Sequence, residues 1–119
     1  MPRVTLVRTT PLGPYLTLQP AANALDLTLT TADTVNLEQV LLDGPILIVA
    51  HNNGVGARTI TLTSSPDAAL RTGDVSAYSI GADKIAIFKV DRTDGWRQTD
   101  GFLYIQGSHA EVRWGIVRL

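Results

Sequence analysis

Apolar and polar residues alternate with a period of two along much of this chain, the spacing of strands whose two faces meet different surroundings. In Ala24-Leu25-Asp26-Leu27-Thr28-Leu29-Thr30, the three leucines fall on one face and Asp26, Thr28 and Thr30 on the other. Arg58–Thr63 repeats the pattern with Ile60 and Leu62 inward. Val4–Val7, Phe102–Ile105 and Val112–Val117 are rich in the β-branched and aromatic residues that suit a half-buried pleated surface. Ile46–Ala50 is apolar on both faces, which predicts a central strand covered on both sides, and Ile85–Phe88 reads the same way.

Turn chemistry separates these runs. Asp43-Gly44-Pro45, Asn52-Asn53-Gly54, Asp94-Gly95 and Asp100-Gly101 each pair a glycine with a side chain able to bond its own backbone. The best helical spacing is Thr34–Leu42, where Leu37, Val40 and Leu41 follow a three-four rhythm and Thr34 is placed to cap. It predicts one short helical turn or an irregular segment there, and residues 66–74 could hold another turn. Many short strands with frequent turns predict an all-β fold, an antiparallel β-sandwich or barrel with at most one short helix. Pro2, Pro11, Pro14 and Pro20 interrupt the start, so residues 1–23 are expected to form an extended N-terminal arm. Within it Val4–Val7 pairs at a sheet edge, and residues 24–119 make a single sandwich domain. The arm is either a strand plus a loop or a segment laid on a neighbouring subunit.

Length and charge narrow the function classes. At 119 residues the chain fits one domain. Ten Lys and Arg against eleven Asp and Glu provide no cationic surplus for nucleic acid or anionic lipid, so neither is expected as a partner. The absence of cysteine excludes disulfides, thiolate zinc sites and a cysteine nucleophile. The apolar run Ile46–Ala50 is far shorter than the roughly 20 residues of a membrane span, and the start shows no signal-peptide pattern.

Candidate chemistry is sparse, and no enzyme is expected. His51 and His109 both fall at turns, and Ser108 beside His109 makes no catalytic pair, because adjacent strand residues point to opposite faces. Asp91-Arg92-Thr93-Asp94-Gly95 resembles half a calcium loop but lacks the further acid that completes one, and reads as a hairpin turn. Asn53-Gly54-Val55-Gly56 has no Lys-Ser/Thr to make a phosphate loop and reads as a hairpin tip. No carboxylate is flanked by the apolar surroundings that would raise its pKa for acid catalysis. No metal or cofactor is expected. Tyr15, Tyr78, Trp96, Tyr104 and Trp114 could stack on sugars if they lined one face, which makes a carbohydrate- or receptor-binding module the alternative. Trp114 shares its strand face with Val112 and Ile116, and so reads as core or subunit interface.

From Thr31 onward the order of features is similar to a known group. Thr31-Ala32-Asp33-Thr34-Val35-Asn36 leads into Asp43-Gly44-Pro45-Ile46-Leu47-Ile48-Val49, the Asn52-Asn53-Gly54 turn and Arg58–Thr63. Tyr78–Val90, Trp96-Arg97-Gln98, Asp100–Ile105 and Val112–Leu119 complete the cadence. It resembles the capsid decoration (head-stabilising, or cement) proteins of tailed bacteriophages, departing from them at Pro45 and in its longer proline-rich start. The resemblance implies a jelly-roll or tulip-like β-sandwich on the outer surface of the virion capsid. Its partners would be the major capsid protein and further copies of itself, as a homotrimer. On that reading Arg3, Arg8, Tyr15 and Leu16 of the arm, with Trp114, are the expected capsid or subunit contacts.

Overall fold

The computed structural model describes residues 3–11, 26–65 and 73–119. Among them there is no helix. The strands are β1 (Val4–Thr5), β2 (Arg8–Thr9), β3 (Thr30–Thr31), β4 (Glu38–Leu41), β5 (Ile46–Asn52), β6 (Arg58–Thr63), β7 (Val75–Ile80), β8 (Ile85–Val90), β9 (Phe102–Gly107) and β10 (Val112–Arg118). They form two sheets, one ordered β1-β4-β9-β6-β7 and the other β2-β10-β5-β8, with β3 also paired to β10. The β-sandwich expectation holds, but the sheets are mixed: β1 runs parallel to β4, and β2 parallel to β10. Every other pairing is antiparallel. From β4 to β10 the chain changes sheet at each step except the β6–β7 hairpin. The Asn53–Gly56 and Asp91–Gly95 segments, expected as hairpin turns, are therefore crossings between sheets.

Period-two burial explains the interior. Ile46, Ile48 and Ala50 of β5 face Ile60 and Leu62 of β6, Leu103 and Ile105 of β9 and Val112, Trp114 and Ile116 of β10 in one buried cluster. Burial of such side chains is the main stabilising term, about 1.5–3 kcal/mol for each large one. At one end of the sandwich the buried Asn52 side chain supports two loops, the β5–β6 and β7–β8 connections. Its Nδ2 donates to the carbonyls of Gly56 (2.8 Å), Ile80 (2.9 Å) and Gly81 (3.2 Å), and its Oδ1 accepts from Gly54 N–H.

Three expectations change. The helical spacing over Thr34–Leu42 yields a single turn followed by a strand. Asp33, rather than Thr34, caps it by accepting from the N–H groups of Val35 and Asn36, both at 2.9 Å. Leu37 then takes φ +65° and ends the turn, so that Glu38, Val40 and Leu42 alternate inward. Of the strand expected over Ala24–Thr30, residues 24 and 25 lie outside the described residues, and from Asp26 onward pairing begins only at Thr30–Thr31, because β2 already occupies Ile116–Val117 of the β10 edge and leaves only Arg113–Trp114. Leu27 and Leu29 instead lie over Gly115, where an added methyl would stand 2.7 Å from Leu29 Cδ2. The third change is β8, expected to be central but found at a sheet edge with Ile85 and Ile87 56% and 61% exposed.

Gly107 closes β9 where a methyl group would sit 3.1 Å from Val112 Cβ and 3.2 Å from Ala32 Cβ. Gly107→Ala should therefore destabilise by about 1–3 kcal/mol in denaturant unfolding, the usual cost of overpacking. Gly56→Ala, with open space around it, should be close to neutral. Equal stability of the two variants would contradict this packing.

Candidate functional site

The N-terminal segment is built into the body before it reaches Pro11. Val4 N–H donates to Leu37 O and Leu6 N–H to Gln39 O, each at 2.9 Å, while the Leu6 side chain is buried in the core. Two residues later Arg8–Thr9 pairs with the other sheet, so the segment bridges the two sheets along one side of the sandwich. Two arginines fix it. Arg3 Nη1 donates to the carbonyls of Glu38 (2.9 Å) and Ile105 (3.2 Å), and its guanidinium lies 4.2 Å from the Tyr104 ring centroid. Arg8 Nη1 donates to Asp43 Oδ1 at 2.6 Å, and Arg118 Nη2 stands 4.0 Å from the other carboxylate oxygen. Arg8 is the main reason the Asp43 carboxyl is held below its usual range. Of the expected contact residues, Arg3 and Arg8 are thus committed largely to their own chain, and Tyr15 and Leu16 lie outside the described residues.

Trp114, the fifth, is inside the sandwich at 1% exposure. Its Nε1–H donates to Glu38 Oε1 at 3.0 Å. The other carboxylate oxygen, Oε2, accepts from the backbone N–H of Asp33. Glu38 has no exposed surface, and burial pushes its carboxyl above the ordinary glutamate value, against the two donors that favour the charged form. The sequence reading held that no carboxylate has apolar surroundings; Glu38 corrects it. The available signal was its place in Glu38/Val40/Leu42, where an acid occupies an inward position of an alternating strand. With both oxygens engaged and no access to solvent, the group is suited to holding the sheets in register rather than to exchanging protons with a ligand.

The remaining candidates disperse. His51 Nε2 lies 3.1 Å from Asp83 Oδ1 on the outer face of the second sheet. His109 Nδ1 accepts from Glu111 N–H, and Ser108 Oγ accepts from Thr59 N–H, so this Ser and His serve separate turns. Glu111 pairs with Arg58 at 2.8 Å. Asp91 pairs with Lys89 at 3.2 Å, and Thr93 O closes a turn onto Trp96 and Arg97. The described aromatics are engaged at separate places: Trp96 against the core, Tyr78 edge-on to Phe88, Tyr104 beneath Arg3. Among the described residues no three His, Cys, Asp or Glu side chains converge to hold a metal ion. No family model, curated protein or solved structure matches the chain.

Glu38→Gln places an amide donor opposite an N–H donor and should cost about 1–3 kcal/mol near pH 4, the range for a buried unmet donor. The pH dependence has a definite sign. Because folding raises the Glu38 pKa, its contribution is fully present below the ordinary glutamate value and is lost as pH rises through the raised value. Gln cannot titrate, so the penalty of the substitution should be larger near pH 4 than at pH 7. A penalty that grows toward neutral pH would overturn the assignment. Asp33 acts oppositely. Its pKa is lowered chiefly by the Asn36 and Val35 N–H donors, so its contribution is present above the ordinary aspartate range and lost on further acidification.

Proposed function

We propose that the chain is a structural virion protein that binds the outer surface of an assembled phage capsid and stabilises it across capsomer junctions, without catalysing a reaction. The support is the sequence cadence together with a strand-built body. The observation that carries the reading is the anchoring of the N-terminal segment. Strands on both sheets and two arginines hold residues 3–9, so whatever follows Pro11 starts from a fixed point on the body. A fixed root lowers the ordering cost of a segment that must bind elsewhere. A ligand of this kind stabilises a shell because it binds the assembled state and not the dissociated one. The change of sheet at nearly every connection accords with the jelly-roll winding that the resemblance implies. The partners on this reading are the major capsid protein and other copies of the chain. The sugar-binding alternative would need several aromatics on one exposed face, and the described ones are engaged apart from one another.

Because Leu6 is core and Arg3 bonds two backbone carbonyls, removing the whole N-terminal segment would test folding as much as binding. The double substitution Tyr15→Ala/Leu16→Ala separates the two. Co-sedimentation with empty tailed-phage heads should show binding weakened about tenfold or more, as when an aromatic anchor is truncated. The thermal midpoint should not move. Unchanged head binding would remove the arm from the contact. Failure of the parent chain to bind any head, with glycan binding lost in Trp96→Ala, would replace the proposal with the alternative.

A further inference from the structure

Among the described residues the two sheets have four edges, and three of these are poorly suited to accept another strand. β1, and β2 and β3 that share the β10 edge, are each two residues long. β7 carries a register shift against β6 and places Ala77 at φ +52°, an irregularity that twists an edge away from further pairing. The remaining edge, β8, pairs with β5 in unbroken register from Ile85 to Val90. Its free side runs about 20 Å, six residues at strand rise.

The Asn52 N–H donates to Lys84 O, so the alternation of an antiparallel ladder turns the backbone of Lys84, Ala86, Phe88 and Val90 toward β5. The N–H and C=O groups of Ile85, Ile87 and Lys89 then point outward, and none has a backbone partner among the described residues. The same three residues carry exposed side chains. Unmet main-chain groups beside an exposed Ile-Ile ridge are the features that invite strand addition.

We propose that β8 is a two-fold interface at which a second copy of this chain pairs antiparallel, edge to edge. Self-pairing follows from the residue order. With the axis at Ala86, Ile85 of each copy faces Ile87 of the other, and Lys89 of each copy lies toward the Gly81–Lys84 turn of the other, which carries Asp83 at φ +55° just before the strand. The outward backbone groups of Ile85 and Ile87 then meet in hydrogen-bonded pairs. Centring on Ile87 instead would bring that turn toward Asp91 and set Lys89 against Ile85. Both ions of the favoured register are available at the surface, with Asp83 84% and Lys89 59% exposed in their side chains. Within one copy Asp83 is met by His51, and Lys89 by Asp91 at 3.2 Å, an exposed pair of the weak kind that a new partner can displace. A two-fold contact of this kind is isologous and builds dimers, in place of the three-fold arrangement implied by the family resemblance. It does not depend on capsid binding.

A charge-exchange experiment on the full chain tests the register. Light scattering of the parent protein should show a concentration-dependent rise from 12.8 kDa to twice that mass. Lys89→Glu or Asp83→Lys alone sets like charges together at both ends of the pair and should weaken dimerisation about tenfold or more. An equimolar mixture of the two variants restores both ion pairs and should recover the dimer. Circular dichroism checks that each variant is folded. Independently, hydrogen exchange of the parent protein should slow with rising concentration at the Ile85 and Ile87 amides. A strict monomer, a trimer, a dimer indifferent to both substitutions, or no concentration-dependent protection in β8 would each overturn the proposal. Loss of head binding with the dimer intact would count only against the capsid role.

Discussion

Trp114 in one sheet and Glu38 in the other meet in the middle of the sandwich, and much of the surrounding structure is arranged to make that meeting tolerable. A carboxylate with no exposed surface is costly unless donors reach it. The indole supplies one across the gap between the sheets, and the Asp33 backbone supplies the second. For the Asp33 N–H to reach Glu38, the chain must turn back within five residues. The Asp33 side chain caps that turn, and Leu37 accepts a left-handed backbone to end it. The Glu38 main chain is used as well, because its carbonyl accepts the Arg3 guanidinium. One buried acid thereby ties together β4, β10, the connection between β3 and β4, and the N-terminal segment. A pair sealed at this depth adds little net stability compared with an apolar pair of equal volume, but a slip of β4 by one residue would strand it.

The edges of the two sheets carry the rest of the functional argument. A sandwich has four edges to manage, and this one treats them differently. On one side β1, β2 and β3 are short strands laid against longer ones, pinned by Arg3 and Arg8, so the chain's own start covers the ladder there. On the other side β7 is irregular, whereas β8 keeps an unbroken register and exposes two isoleucines. On the two proposals made above these sides have separate tasks, one fixing residues 3–9 to both sheets and the other joining copies.

Much of this was legible in advance because period-two patterning reports directly on burial. The inward sets Ile46/Ile48/Ala50, Ile60/Leu62, Leu103/Ile105 and Val112/Trp114/Ile116 all occur as alternation predicts. Gly95 and Gly101 adopt the positive φ that their Asp-Gly pairs anticipate. The misreadings arose where one residue type served an unusual end. An acid at an inward position hid β4, and its neighbours Leu37, Val40 and Leu41 imitated a helical stripe. The leucines of Asp26–Leu29 alternate as a strand would, yet they cap Gly115 because another strand holds the ladder beside them.

The order of residues by itself determined the class of fold, the strand positions that fill the core and the places where the chain must turn, because each depends on neighbours two to four positions away. It did not determine which strands lie side by side. Ile46–Ala50 and Ile85–Phe88 look alike as strings, but one is flanked by β10 and β8 while the other borders solvent. Nor could it disclose a partnership such as Glu38 with Trp114, 76 positions apart. Such pairings belong to the tertiary structure alone. The free energy of a buried acid or an open edge is set by what long-range packing brings beside it, and local spacing carries no record of that.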